Sequence, residues 1–139
     1  LPKNIEESFL VINGDVLTKF NPYKLLEFHN YHKALATLSV REHILEIPFG
    51  VIETKGVEVE DILEKPSYKK LVNAGVYALD PAILKFINEQ EKIDMPELFN
   101  KAIVFGGKIV ACPIHEYWID IGRPETLEEA YSTWDVNPI

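Results

Sequence analysis

Short apolar runs separated by polar breaks predict that this chain alternates strands with helices. The continuous run Phe9–Ile12 is typical of a strand buried on both faces. Asn21 as an N-cap, followed by a proline, predicts a helix that reaches about Lys33. Ala34–Val40 then predicts the next strand. Because a strand, a helix and a strand in this order form a βαβ unit, we expect the two strands to pair in parallel.

The middle of the chain has a different pattern, with apolar runs joined by short polar links. Such a pattern predicts hairpins and therefore an antiparallel section within a mixed sheet. Lys55-Gly56 is typical of a hairpin turn. The predicted strands of this section are Pro48–Glu53, Val57–Lys65 and Leu71–Leu79.

The last part of the chain returns to alternating helices and strands. Asp80 and Asp94 are each typical N-caps, and Gly106-Gly107 is typical of a helix end. The predicted elements are a short helix from Pro81 to Asn88, a helix to Val104, strands Lys108–Ile114 and Glu116–Ile121, and a helix Pro124–Trp134. The predicted fold is therefore α/β with a mixed sheet flanked by helices.

Composition narrows the function classes. The 139 residues suit one domain with a sizeable core, and the net charge of −8 argues against a nucleic-acid-binding surface. No apolar run approaches the roughly 20 residues of a membrane span, and no signal-peptide pattern is present, so we expect no membrane partner. The single cysteine, Cys112, fits a reducing cytoplasm.

Two acids are the first candidates for chemistry. Asp15 follows an apolar strand and a glycine, and Asp120 ends the apolar strand near the other end of the chain. Since α/β sheets bind ligands at strand ends, these carboxylates can share a metal such as Mg²⁺, which takes one or two carboxylates plus phosphate and water. The alternative is structural: Asp15 caps a turn, and Asp120 pairs with Arg123.

Three further groups of residues have both a binding and a structural interpretation. Lys65 at a strand end can hold a phosphate, and Glu64 can accept sugar hydroxyls, or the two form an exposed ion pair of little value. Asn73 and Gly75 suggest either close approach of a ligand within a strand or a β-bulge. Gly50 leaves the same two alternatives open.

Taken in order, five motifs resemble the sugar-1-phosphate nucleotidylyltransferases, also called NDP-sugar pyrophosphorylases. These motifs are Phe9–Asp15, Phe49–Val51, Glu64–Pro66, Asn73–Tyr77 and Trp118–Glu125. The runs His115–Trp118 and Asp94–Pro96 look closest to the mannose- or glucosamine-phosphate guanylyltransferase-like branch. The resemblance implies a mixed, mostly parallel, Rossmann-like nucleotidyltransferase sheet with helices on its faces. It implies the reaction of an NTP with a sugar 1-phosphate to give an NDP-sugar and pyrophosphate.

The resemblance also implies residue roles. Asp15 and Asp120 would bind the catalytic Mg²⁺, and Lys65 would hold the attacking sugar phosphate in line. The substrate pocket would be lined by Gly50, Glu64, Lys65, Asn73 and Gly75.

One feature of the family is not found in residues 1–139, the Gly-rich G-G-x-G-x-R-L loop that cradles the triphosphate. We therefore expect residues 1–139 to be the C-terminal, sugar-phosphate-binding part of a nucleotidyltransferase domain, inactive or nearly so alone. Without covering strands, Phe9–Ile12 would be an apolar edge, so we expect it to pair with another copy or with the missing half.

Two other classes of function are alternatives. A non-catalytic relative that serves as a regulatory or binding module is the main alternative, although it would not need both acids and Glu64-Lys65. A glycosyltransferase of similar fold is less favoured, because the strand ends Asn13-Gly14-Asp15 rather than Asp-x-Asp. The nucleotide base and the sugar are left open by the sequence.

Overall fold

The computed structural model describes residues 5–88, 92–122 and 124–134. The chain divides into two compact units, the first containing Leu1–Val40 and Asn73–Ile139 and the second Arg41–Val72. In chain order the elements are β1 (Phe9–Ile12), β2 (Val16–Thr18), α1 (Pro22–His32), β3 (Ala36–Glu46), β4 (Gly50–Lys55), β5 (Glu58–Glu64), β6 (Ser67–Leu79), a 3₁₀ helix (Pro81–Phe86), α2 (Met95–Val104), β7 (Ile109–Pro113), β8 (Trp118–Asp120) and α3 (Pro124–Thr133). The α/β class with a mixed sheet is confirmed.

The main sheet has the strand order β1-β6-β3-β7. β1 and β6 are antiparallel, with Phe9 opposite Leu79. The β3–β6 pair is also antiparallel, because the Asp80 N–H donates to the Leu35 carbonyl at one end and the Ile47 N–H donates to the Pro66 carbonyl at the other. Parallel pairing is confined, in the described part of the chain, to β3 and β7.

The expected direct pairing of β1 with β3 is therefore wrong. β1 and β3 run in the same direction, but β6 lies between them. Within the described residues β1 forms an edge of this sheet, and Ile12 at its end is 50% exposed. The expected apolar edge is therefore confirmed, whereas burial of β1 on both faces, which its apolar run suggested, is not found. The second half of β6, Ala74–Leu79, is buried on both faces, and it separates two apolar clusters.

The two clusters follow the alternation of side chains along β6. One face contributes to the cluster Phe20, Leu25, Ala74, Val76, Ala78 and Ile114. The other face contributes to the cluster Ala36, Tyr77, Leu79, Ile83, Leu98 and Phe99. The core of the first unit is thus arranged on both sides of a single strand.

Capping residues set the helix boundaries as the sequence predicts. The Asn21 side chain accepts a hydrogen bond of 3.0 Å from the Tyr23 N–H at the start of α1. The Asp80 carboxylate accepts one of 2.7 Å from Ala82, and the Asp94 carboxylate accepts one of 2.8 Å from Glu97. Each cap satisfies a backbone donor that the helix itself leaves unpaired.

Helix α1 places a histidine in the core. His29 is fully buried, and its Nδ1 lies 2.9 Å from Thr37 Oγ1. Burial lowers the pKa of His29, and the nearby Asp80 carboxylate partly offsets this shift. The residue is therefore a packing residue of the first unit.

The second unit contains the β4–β5 hairpin. Its strands pair from Gly50 opposite Glu64 to Lys55 opposite Glu58, with a register shift between Glu53 and Thr54. Gly56 in the turn has a positive φ of 65°, which glycine adopts without strain. The predicted hairpin is confirmed. None of the helices in the described ranges is long and apolar enough to cross a membrane.

Candidate metal and sugar-phosphate site

A short antiparallel ladder between β2 and β8 brings the two candidate acids together. Val16 lies opposite Asp120 in this ladder. The ladder continues one residue further, because the Ile121 N–H donates a 2.8 Å hydrogen bond to the Asp15 carbonyl. Asp15 itself lies in the turn that joins β1 to β2. The sequence did not predict β2, since three residues are too short to give a periodic signal.

Both carboxylates border one small space above Gly122. A Cβ atom added to Gly122 would lie 3.0 Å from Asp120 Oδ1 and 3.4 Å from Asp15 Oδ2. The two oxygens are therefore separated by no more than the sum of these distances. The Gly122 N–H donates a 2.8 Å hydrogen bond to Asp120 Oδ1. Both acids are exposed to solvent.

This donor set suits a hard divalent cation. Two carboxylates on one space repel each other, and a cation between them relieves the repulsion. Among the described residues there is no group of three or more metal-ligating side chains. A cation held here would therefore complete its coordination with water or with phosphate oxygens of a substrate. The roles of Asp15 and Asp120 as ligands stay a prediction.

The structural alternative for these acids is present in part. Asp15 occupies a turn, and the Asp120 carboxylate caps the Gly122 N–H two residues on. The proposed ion pair with Arg123 lies outside the described residues. The hydrogen bond to Gly122 uses one oxygen of Asp120, and a carboxylate has about four lone-pair sites, so capping and metal binding are compatible.

The segment Asn73–Tyr77 packs directly behind this turn. Gly75 is buried with a positive φ of 73°, and its carbonyl accepts a 2.8 Å hydrogen bond from the Asn13 N–H. A Cβ atom at Gly75 would lie 2.7 Å from the side chain of Val16 and 3.1 Å from that of Asn13. The close approach expected at Gly75 is therefore made by the protein's own chain. A contact of Gly75 with substrate stays a prediction.

Asn73 lies at the exposed margin of the same segment. Its Oδ1 accepts a 3.0 Å hydrogen bond from the Gly75 N–H, and its Nδ2 donates a 2.8 Å hydrogen bond to the Tyr77 hydroxyl. These two bonds fix the orientation of the amide and leave further acceptor capacity on Oδ1. The side chain is thus held in place by the protein itself, and a contact of Asn73 with substrate stays a prediction.

Trp118 connects the acid-bearing ladder to this segment. Its indole Nε1 donates a 2.7 Å hydrogen bond to the Ala74 carbonyl. Because side chains two residues apart on a strand share a face, Trp118 and Asp120 lie on the same side of β8. The supporting contacts of Trp118, Asn13 and Gly122 were not predicted. The Trp-x-Asp pattern, which puts Trp118 and Asp120 on one face of the strand, was the one signal in the sequence that pointed to such a contact.

The remaining predicted residues belong to the second unit. Gly50 lies opposite Glu64 in the hairpin, and a Cβ atom at Gly50 would lie 3.3 Å from Glu64 Oε2. Lys65 has a positive φ of 46°, and its N–H donates a 3.3 Å hydrogen bond to the Phe49 carbonyl. A left-handed backbone is uncommon for lysine, and such conformations cluster at binding sites. Glu64 and Lys65 are both exposed.

Comparison with known proteins then identifies the family. A family model described as nucleotidyl transferase matches residues 2–135. The chain belongs to this family. Members of this family generally use a divalent metal, which agrees with the paired acids of this nucleotidyl transferase chain.

Individual relatives extend this result. The nucleotidyl transferase chain is similar to the probable mannose-1-phosphate guanylyltransferase 3 of Arabidopsis thaliana, with 32% identity over 88% of this chain and 39% of that protein. It is equally similar to a glucose-1-phosphate adenylyltransferase of Clostridium perfringens, with 32% identity over 89% of this chain and 35% of that protein. The chain thus spans little more than a third of these relatives.

A solved structure shows the same fold. HddC from Yersinia pseudotuberculosis superposes with a TM-score of 0.62 over 92% of this nucleotidyl transferase chain and 56% of that chain, at 24% identity. At this level of identity the likeness supports the architecture alone. The Rossmann-like nucleotidyltransferase fold with a mixed sheet is confirmed. The expected mostly parallel pairing is wrong within the described residues, because β6 enters the main sheet antiparallel to both of its neighbours and leaves β3 and β7 as the one parallel pair.

Proposed function

We propose that the protein transfers a nucleotidyl group from an NTP to a sugar 1-phosphate, giving an NDP-sugar and pyrophosphate. In this proposal the described chain supplies the metal-binding and sugar-phosphate-binding residues of the site. The observation that carries the proposal is the pairing of Asp15 and Asp120 over Gly122 in a member of the nucleotidyl transferase family. The relatives named above make a hexose 1-phosphate the first substrate class to test.

The roles of the residues follow from their chemistry. Asp15 and Asp120 hold Mg²⁺, which when bound neutralises charge on the phosphates. Lys65 binds the sugar phosphate as a point charge, and Glu64 accepts hydrogen bonds from sugar hydroxyls. Asn73 orients the sugar through its fixed amide. A sugar-phosphate oxygen then bonds to the α-phosphorus as the bond to pyrophosphate breaks. This transfer needs positioning more than covalent help from the protein.

The test measures metal-dependent binding of mannose 1-phosphate and glucose 1-phosphate by calorimetry. We expect Asp120→Asn to weaken Mg²⁺-dependent binding at least about tenfold, or about 1.4 kcal/mol. Asparagine keeps an acceptor for the Gly122 N–H, so this variant removes charge while it preserves the turn. Asp61→Asn is the matched control, since Asp61 is an exposed acid in the β4–β5 hairpin. Equal binding by the two variants would contradict the proposal.

A turnover assay separates the enzyme from a non-catalytic module. We propose that the 139-residue chain alone forms no NDP-sugar from GTP or ATP with either sugar 1-phosphate, because its sequence contains no Gly-rich triphosphate loop. Robust product formation would refute this part of the proposal. Metal-dependent sugar-phosphate binding without turnover is the expected result, and absence of both would favour a regulatory module. We also propose a cytoplasmic location, which suits a single free thiol.

Association through β1 is a separate proposal. β1 is an edge strand of the main sheet, and its Ile12 side chain is half exposed. Edge strands with apolar side chains pair with other strands, and a charge on the edge prevents this pairing. We therefore expect the chain to self-associate in light scattering at high concentration and Ile12→Lys to reduce that association. A wild-type chain that stays monomeric would refute the proposal.

A further inference from the structure

A cleft lined by three lysines lies at the opposite end of the main sheet from the paired acids. It has a volume of about 380 Å³ and forms where α1 ends, β6 ends and β3 and β7 begin. The strand register places it at the Phe9–Leu79 end of the β1–β6 pair, whereas the Asp15 turn follows the Ile12–Val76 end. The lysines that line it are Lys33, Lys85 and Lys108.

The charge of this cleft contrasts with the charge of the protein. The chain carries a net charge of −8, yet Asp80 is the one acid among the described residues that line the cleft. One oxygen of that carboxylate already accepts the Ala82 N–H at 2.7 Å. Three ammonium groups against one carboxylate make the described lining of the cleft locally positive. Such a local reversal of sign attracts a small anion.

The three lysines differ in what they contact. Lys108 donates to the His32 carbonyl and so caps the negative end of α1. Lys85 lies 5.1 Å over the Phe86 ring, and Lys33 is the exposed C-cap of α1 with a positive φ of 47°. The Gly106 and Gly107 N–H groups donate to carbonyls of α2, at 2.9 and 2.8 Å. An anion here would therefore be bound by ammonium groups rather than by backbone donors.

An aromatic platform borders the same cleft. Phe105 is 72% exposed, and its ring packs against Phe86 with the centroids 5.9 Å apart and the planes 35° apart. The two rings are too close to admit a third between them, so Phe86 supports Phe105 from one side. The exposed surface of Phe105 is left available for stacking by a flat ring.

The geometry points to a second binding site, in this cleft, for a small phosphorylated compound that also carries a flat ring. Lys33 and Lys85 bind the phosphate as point charges, and the ring stacks on Phe105. A long polyanion is disfavoured, because the rest of the surface would repel it. The inference is independent of the proposed catalytic function, since that function uses none of these residues.

The experiment titrates the chain with adenosine monophosphate as the probe, using calorimetry and ¹⁵N-resolved NMR. We expect saturable binding with a Kd of about 1 mM or tighter and amide shifts concentrated at Lys33 and residues 105–108. Adenosine has the flat ring without the phosphate, and ribose 5-phosphate has the phosphate without the flat ring. Each should bind at least about fivefold more weakly than adenosine monophosphate. Raising the salt concentration should weaken phosphate binding, because exposed charges are screened.

Three variants test the assignment. Lys85→Ala and Lys33→Asn should each weaken binding about fivefold or more, and asparagine tolerates the left-handed backbone at position 33. Phe105→Ala should weaken it about tenfold through lost stacking. Lys55→Ala, an exposed lysine in the hairpin, is the matched control and should change nothing. NMR spectra of each variant show whether it is folded.

Several outcomes would overturn the inference. The inference fails if binding of adenosine monophosphate does not saturate up to about 10 mM. It also fails if Phe105→Ala, or both lysine variants, bind the probe as tightly as the wild-type chain. Loss of binding in Lys65→Ala would place the phosphate at the proposed sugar-phosphate residues instead. If the lysines serve only the α1 terminus, Lys108→Ala would lower stability, since Lys108 donates to the His32 carbonyl, and no ligand would bind.

Discussion

Replacing Gly75 by alanine tests whether the buried segment behind the acids is fixed by backbone geometry. The new Cβ would lie 2.7 Å from the Val16 side chain and 3.1 Å from the Asn13 side chain, at a φ of 73°. A left-handed backbone costs a non-glycine residue about 1–2 kcal/mol. Overpacking of a filled site costs about 1–3 kcal/mol more. We therefore expect Gly75→Ala to lower the free energy of unfolding by about 2–5 kcal/mol.

Gly106→Ala separates these two contributions. Gly106 has a similar φ of 78° and belongs to the same compact unit, but nothing lies within 4 Å of its added Cβ. This variant should lose only the backbone contribution of about 1–2 kcal/mol. Urea unfolding followed by tryptophan fluorescence measures both, since Trp118 and Trp134 lie in that unit. If Gly75→Ala is no less stable than Gly106→Ala, the steric argument for the close approach is wrong.

Three shorter predictions concern buried or half-buried groups. Since burial lowers the pKa of His29, the unfolded state binds more protons below pH 6.5, and stability should fall with falling pH by up to about 1.4 kcal/mol per unit. In urea titrations at several pH values, His29→Gln should lose that slope and the exposed control His43→Gln should keep it. Ser39→Ala should cost about 1–3 kcal/mol in urea unfolding, because the buried Val76 N–H loses the 3.1 Å hydrogen bond it donates to the hydroxyl; an unchanged midpoint would contradict this. Burial raises the pKa of the Cys112 thiol, so a thiol reagent should modify the folded chain far more slowly than the urea-unfolded chain, and equal rates would contradict this.

Local chemistry made much of this fold predictable. The helix starts at Asn21, Asp80 and Asp94 depend on a side-chain oxygen within three residues of the donor it satisfies, so the sequence contains both partners. The hairpin turn at Gly56 depends on the backbone freedom of one residue. Such features are encoded within a few positions and are visible without a structure.

Pairing between distant strands was not predictable in the same way. The apolar run of β1 resembled a central strand, yet β6, far along the chain, lies beside it and separates it from β3. No local pattern specifies which later strand enters a sheet between two earlier ones. The sequence did predict that Asp15 and Asp120 lie close together, because both follow the ends of strands. The ladder that joins them was missed, because β2 is three residues long.

The ladder between β2 and β8 has a consequence for the order of folding. It joins distant parts of the chain: at its end, the 2.8 Å hydrogen bond that the Thr18 hydroxyl donates to the Tyr117 carbonyl spans 99 positions. Closing so long a loop costs chain entropy that three pairs of residues do not repay alone. We therefore expect this ladder to form after the main sheet and to be among the first elements to open. Amide exchange at Val16–Thr18 would then report the assembly of the acid pair, and a cation that binds it would slow that exchange by mass action.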